Sequence, residues 1–197
     1  MRAARVDPDD ARLRAALRFI EGHLHRIDGD GHAERKQLVL AQREYAEALT
    51  AFREAAELRP QWPEPFLGLA RTFIASLADL EKGEDAIAQA QRLGRVSLEP
   101  ETRMLAIGYR KRGDTFAANA AKLAATPQEE PFLTRARESY QRSLELYASL
   151  PAGSPAEAIR AAQSGLNRVE ERLDHLVSTP VAEDANANTA VVNLVPQ

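Results

Sequence analysis

Residues 23–32, HLHRIDGDGH, hold a set of metal-ligating side chains: His23, His25, Asp28, Asp30 and His32 could offer imidazole nitrogens and carboxylate oxygens to zinc or calcium. Their spacing argues against it. On a helix, His23 and His25 point about 200 degrees apart and cannot share an ion. A calcium loop counted from Asp28 needs a bidentate glutamate at its twelfth position, where Val39 stands. The stretch is read as the end of a helix followed by a glycine-rich turn, and no metal ligand or cofactor is assigned. His175 stands alone on the last helix, as a solvent-facing or packing residue.

Other chemistry is equally sparse. No glycine-rich phosphate loop opens a helix, and no strand–turn–helix presents a serine nucleophile. The chain has no cysteine, which excludes disulfides, thiolate nucleophiles, zinc-thiolate sites and iron–sulfur clusters. No catalytic residue is assigned, and the chain is expected not to be an enzyme. The cluster YRKRGD, Tyr109 to Asp114, carries three cations without interleaved aromatics. It fits a helix terminus, where the dipole favours cations, better than a nucleic-acid element. Trp62, set between Pro60 and Pro63, is expected to plug a junction between helices rather than stack on a ligand.

The elements that position these residues read as helices. Leu13, Leu17, Ile20, Leu24 and Ile27 recur at helical spacing and mark an amphipathic helix from about Asp9 to Ile27, stopped by DGDG. Further apolar stripes predict helices over about Ala33 to Leu58, Glu64 to Leu77, Glu81 to Leu93, Glu101 to Leu123, Phe132 to Leu150 and Pro155 to Val177. Pro60 with Pro63, the Gly94 region, Pro127 with Pro131, and Pro151 with Gly153 separate them. No alternating run long enough for a strand precedes the tail.

Length and charge set the bounds on function. The 197 residues, 44% hydrophobic, suffice for one well-buried domain. The 26 basic and 29 acidic residues are well mixed and leave a formal charge of −3, so no global field favours nucleic acid or an anionic membrane, and neither is expected as a partner. Neither a signal-peptide core at the amino terminus nor an apolar run of membrane-spanning length is present, which favours the cytoplasm. Residues 178–197, with small polar side chains and two prolines, are expected to be a disordered tail, although AVVNLV within them could add to an exposed surface as an extended peptide.

Small and large residues recur in register within the helices. Ala48, Phe52, Ala55 and Leu58 have counterparts in Gly83, Ile87, Ala90 and Leu93, and again in Ala136, Tyr140, Ser143 and Leu146. Phe66, Leu69, Ala70 and Phe73 match Thr102, Leu105, Ala106 and Tyr109 in the partner helices, and Gly113 with Asp114 falls where the first helix of a unit should turn. Over about Tyr45 to Leu146 this pattern resembles the tetratricopeptide repeat, a 34-residue helix–turn–helix unit with small residues where helices cross. The match requires one residue inserted near Ala78. It also requires a third unit lengthened by about eighteen residues, TFAANAAKLAATPQEEPF, read as a helical hairpin that projects.

The resemblance implies an all-α, right-handed solenoid: one domain over residues 1–177, with helix pairs at about 9–58, 63–93 and 101–150 and a capping helix at 155–177. It also implies that the first helices of the units line a concave groove. On this chain the groove would carry Leu67, Arg71, Ile74, Arg103, Ile107, Arg110 and Lys111, a basic and aliphatic set suited to an acidic and aliphatic peptide or protein segment. The carboxylate clamp used by some members is not matched, since Leu67, Gly68, Arg71 and Met104 stand at its positions. The expected function is a protein-interaction module or scaffold. The alternatives are a structural spacer or self-assembly domain and, further off, a helical sensor or enzyme with a small buried ligand.

Overall fold

The computed structural model describes residues 8–151 and 155–178, so the tail expected at 178–197 lies almost wholly outside the described residues. The described residues form seven α-helices: α1 (Pro8–Glu34), α2 (Leu38–Leu58), α3 (Glu64–Arg71), α4 (Leu80–Arg92), α5 (Glu99–Lys122), α6 (Glu129–Ala148) and α7 (Ala156–Ser178). No strand occurs among the described residues. Each helix packs on the next in sequence, and α1 also touches α3, α3 touches α5, and α5 touches α7. No helix among the described residues is long and apolar enough to cross a membrane.

Helix α1 departs twice from the sequence reading. It does not stop at DGDG but runs two turns further, and α2 starts at Leu38 rather than Ala33. The glycines serve close approach instead. A Cβ on Gly29 would lie 2.5 Å from Cε1 of Tyr45 on α2, and one on Gly22 would lie 2.8 Å from the Phe52 ring. The true stop is Lys36, which adopts a left-handed φ of 59°. There Gln37 N–H bonds to His32 C=O and Lys36 N–H to Ala33 C=O, each at 2.9 Å, closing the helix as a Schellman turn.

The second departure concerns the apolar stripe. A helical stripe ordinarily faces the core, yet Leu13, Leu17, Ile20, Leu24 and Ile27 are all more than half exposed. The buried face of α1 instead carries Ala15, Gly22 and Gly29, against the larger side chains of α2. The hydrophobic pattern was counted by size, whereas backbone proximity selected the small residues for the crossing.

Downstream, α3 passes directly into a π-helical turn, Thr72–Ser76, before α4 begins with Asp79 capping Lys82 N–H at 3.2 Å. Leu77 N–H reaches back five residues to Thr72 C=O at 3.1 Å. A π-turn absorbs one extra residue into a helix. Gly94, at φ +88°, ends α4 with the same Schellman bonding, Arg95 N–H to Ala90 C=O at 3.1 Å.

Two apolar cores result. One gathers α2 to α6 around Phe52, Phe73, Leu80, Leu105 and Tyr147. The other gathers the ends of α5 and α6 with α7, around Ala120, Leu133, Tyr140, Leu166 and Val169. Helix α5 runs on through Gly113 and Asp114 without turning, as a lengthened helix. The hairpin it forms with α6 does not project bare, because α7 lies along it. Tyr140 packs against both Gly113 and Gly165, and Arg172 grips Glu129 through two bonds of 2.6 and 3.0 Å.

Candidate binding cleft

A cleft of about 500 Å³ opens where the π-turn, the start of α4 and the middle of α5 meet. Ile74 and Leu80 form its floor, at 5% and 2% exposure. Met104, Ile107 and Phe116 stand half-buried along its α5 wall, and exposed Ala75 and Ala78 leave the opposite rim low. Gly108 makes the geometry possible, since a Cβ there would meet Cδ2 of Leu80 at 2.7 Å.

Lys111 and Arg112 supply the cleft's cations. Arg112 is held in place by both oxygens of Glu81 on α4, with its second bond at 2.9 Å, and lies 5.3 Å over the Tyr109 ring. Hydrogen bonding to Glu81 raises the Arg112 pKa, and the same bond lowers that of Glu81. Tyr109 donates to Glu84 at 3.2 Å, and burial, with the charges of Glu84 and Glu81, pushes its phenol up to about 12. Glu84 also takes Arg142 of α6 at 2.7 Å. These pairs fasten α4, α5 and α6 behind the cleft. Lys111 is exposed and has no carboxylate within ion-pair distance among the described residues.

The structure distributes the seven residues expected in the groove as follows. Ile74, Ile107 and Lys111 meet in the cleft. Leu67 is 3% exposed and contributes to packing. The three arginines are engaged elsewhere: Arg71 with Glu101 at 2.5 Å, Arg103 with Glu99 at 2.5 Å and Arg110 with Asp114 at 2.6 Å. Arg71, 36% exposed, donates two bonds to Glu101, which is 1% exposed. Met104, Leu80, Arg112 and Phe116 join the site unannounced. Arg112 lies inside the YRKRGD cluster, and its registration one residue after Lys111 was the available signal.

The histidine stretch is dispersed by α1. His23 turns inward, with its ring 4.5 Å from Phe19 and 5.0 Å from Phe52, and burial, with the charges of Arg26 and Arg71, lowers its pKa. His25 faces away and meets Glu44 at 2.7 Å, and His32 meets Gln37. Asp30 accepts from Tyr45 and from Ser76, each at 2.9 Å. The Trp62 ring lies 4.9 Å from Phe19, tilted at 54°, under the Arg59 guanidinium, filling the junction between α1 and the α2–α3 turn. No group of three His, Asp or Glu residues is placed to hold a metal ion among the described residues. Comparison with protein-family models, with curated proteins and with solved structures gives no match to this chain.

Proposed function

We propose that this chain is a protein-interaction module, a tetratricopeptide-like right-handed array of three irregular helix pairs closed by α7, which seats an acidic and aliphatic peptide segment in the cleft between the π-turn and α5. The array reading rests on the packing order, in which alternate helices α1, α3, α5 and α7 are neighbours, and on glycines set against large side chains at the crossings. The observation that carries the function is the combination in one cleft of an apolar floor, Ile74 and Leu80, with the ammonium of Lys111, which has no ion-pair partner among the described residues, at its rim. A leucine or isoleucine could bury on that floor while a neighbouring carboxylate meets Lys111, the common division between an apolar anchor and a polar rim. No catalytic role is assigned to any of these residues.

Selection from a random peptide display library on the immobilised chain tests this reading. The expected enrichment is an aliphatic residue flanked by Asp or Glu, with amide shifts on binding confined to residues around Ile74, Ile107 and Lys111. Enriched peptides that are basic, or that shift resonances elsewhere, would overturn it.

A further inference from the structure

The exposed face of α1 is apolar and is covered by no other described element. Leu13, Leu17, Ile20, Leu24 and Ile27 are 62%, 51%, 54%, 56% and 56% exposed. They are spaced four, three, four and three residues apart, the 3.5-residue repeat that keeps an apolar seam facing a second helix. The opposite face is already committed to α2 through Ala15, Gly22 and Gly29. A helix that is apolar on one face and packed on the other ordinarily has neighbours on both sides.

We infer that a second copy of this chain occupies the seam, its α1 lying antiparallel on this one about a two-fold axis near Ile20. The charges beside the seam select both the occupant and the direction. Arg14 flanks Leu13 and Leu17, and Asp28 flanks Ile27. Antiparallel pairing sets Leu13 opposite Ile27 of the second copy and Leu17 opposite Leu24. It brings Arg14 beside Asp28 at both ends, whereas parallel pairing sets this flank of one helix against the other flank of its partner and leaves Arg14 and Asp28 apart. Asp28 has no cation partner among the described residues, and Arg14 holds Asp10 loosely at 3.4 Å, so both are available. Glu21, near the axis, is already neutralised by Arg18 at 2.7 Å, and Arg18 also reaches Glu54 on α2 at 2.8 Å. This limits the repulsion between the two copies of Glu21.

The size suits the occupant. The five side chains present roughly 500 Å² of apolar surface, at the upper end of what a monomer exposes in one patch. With the flanking charged side chains, two copies bury on the order of 1,200 Å² in total, the lower end for a specific stable interface. Helix α7, from which residues 179–197 continue, makes no contact with α1.

Sedimentation velocity on the full 197-residue chain tests the inference. The expected species has twice the 21.7 kDa chain mass, dissociating reversibly on dilution. Ile20→Glu, at an exposed position, should keep the helical circular dichroism yet run as a monomer. Arg14→Asp should weaken the dimer roughly tenfold, since it makes both end pairs repulsive. Adding Asp28→Arg to it should restore the affinity. A wild type that is monomeric at every concentration overturns the inference, as does a dimer indifferent to Ile20→Glu. Failure of the charge swap to rescue overturns the antiparallel arrangement. A monomer that dimerises only once residues 179–197 are deleted assigns the seam to that segment instead.

Discussion

The Tyr140 hydroxyl donates to Asp114 at 2.8 Å, and the Tyr45 hydroxyl donates to Asp30 at 2.9 Å, so the first and last helix pairs are locked by the same bond. The likeness extends to the neighbours. Each aspartate also takes an arginine four residues earlier, Arg110 at 2.6 Å and Arg26 at 2.7 Å, and each follows a glycine that accommodates the tyrosine ring. The pattern Arg-x-x-Gly-Asp thus recurs at 26–30 and 110–114. Burial first, and then the bonded aspartate, raises both phenol pKa values, which keeps the hydroxyls as donors.

Substitution of these glycines should invert the usual rule. In an ordinary helix interior Gly→Ala stabilises by about 1 kcal/mol. Here Gly29→Ala and Gly113→Ala drive a methyl into a ring fixed by its hydrogen bond, and each should cost about 1–3 kcal/mol in urea unfolding. Tyr140→Phe, which removes the bond alone, should cost about 0.5–1.5 kcal/mol.

The pair formed by Arg71 and Glu101 should behave as structure rather than as a recognition charge. Glu101 is 1% exposed and receives two bonds from Arg71, at 2.9 and 2.5 Å. Arg71→Ala leaves that carboxylate buried without its cation and should cost about 1–3 kcal/mol, below the figure for a fully enclosed pair because Arg71 is 36% exposed. Adding Glu101→Gln to Arg71→Ala should recover part of the loss. Chemical denaturation of the two variants decides it.

Acid should act in two windows. The folded pKa of His23 lies below its usual 6.5, mainly through burial, so the folded chain binds fewer protons there than the unfolded one. Its contribution is complete above about pH 6.5 and is lost as the pH falls through the folded value. Glu129 lies below its usual 4.5, chiefly through the Arg172 hydrogen bonds, so its contribution is complete above about pH 4.5 and fades below that. Urea midpoints against pH should fall in both windows. His23→Phe should flatten the upper one, and Arg172→Gln the lower.

Lys36 holds a left-handed conformation that a side chain makes unfavourable, in an exposed turn between α1 and α2. Lys36→Gly should therefore raise stability by about 1 kcal/mol and leave the α1–α2 packing unchanged. Thermal unfolding of the variant measures this.

Helix existence was legible from apolar spacing and from proline and glycine stops, because those signals are local. Helix α4 differs from the expected Glu81 to Leu93 by one residue at each end. What was not legible depends on tertiary context. DGDG has the composition of a turn, but Tyr45, fifteen residues away from Asp30, makes its glycines part of a helix crossing. The stripe of α1 has helical spacing whichever way it faces, and spacing alone does not say whether the partner is α2 or another molecule. Ile74, Ile107 and Lys111, which the resemblance implied for a groove, line the cleft together. The pairing of Arg71 with Glu101 was hidden because it forms only once α3 and α5 are docked, whereas Arg103 with Glu99 and Arg110 with Asp114 are four-residue pairs within α5 that the spacing already allowed.

The most direct test of the cleft is the affinity of a display-selected peptide, fluorescently labelled, for the wild type, Lys111→Glu and Ala75→Glu as salt is varied. Both substituted positions are exposed on the cleft rim, so the fold should be retained. The account predicts wild-type binding that weakens with salt. It also predicts a loss of roughly fivefold or more in each variant with a flatter salt dependence in Lys111→Glu, and near-normal binding by Arg103→Glu, whose parent arginine is held by Glu99. Unchanged affinity in both cleft variants would contradict it.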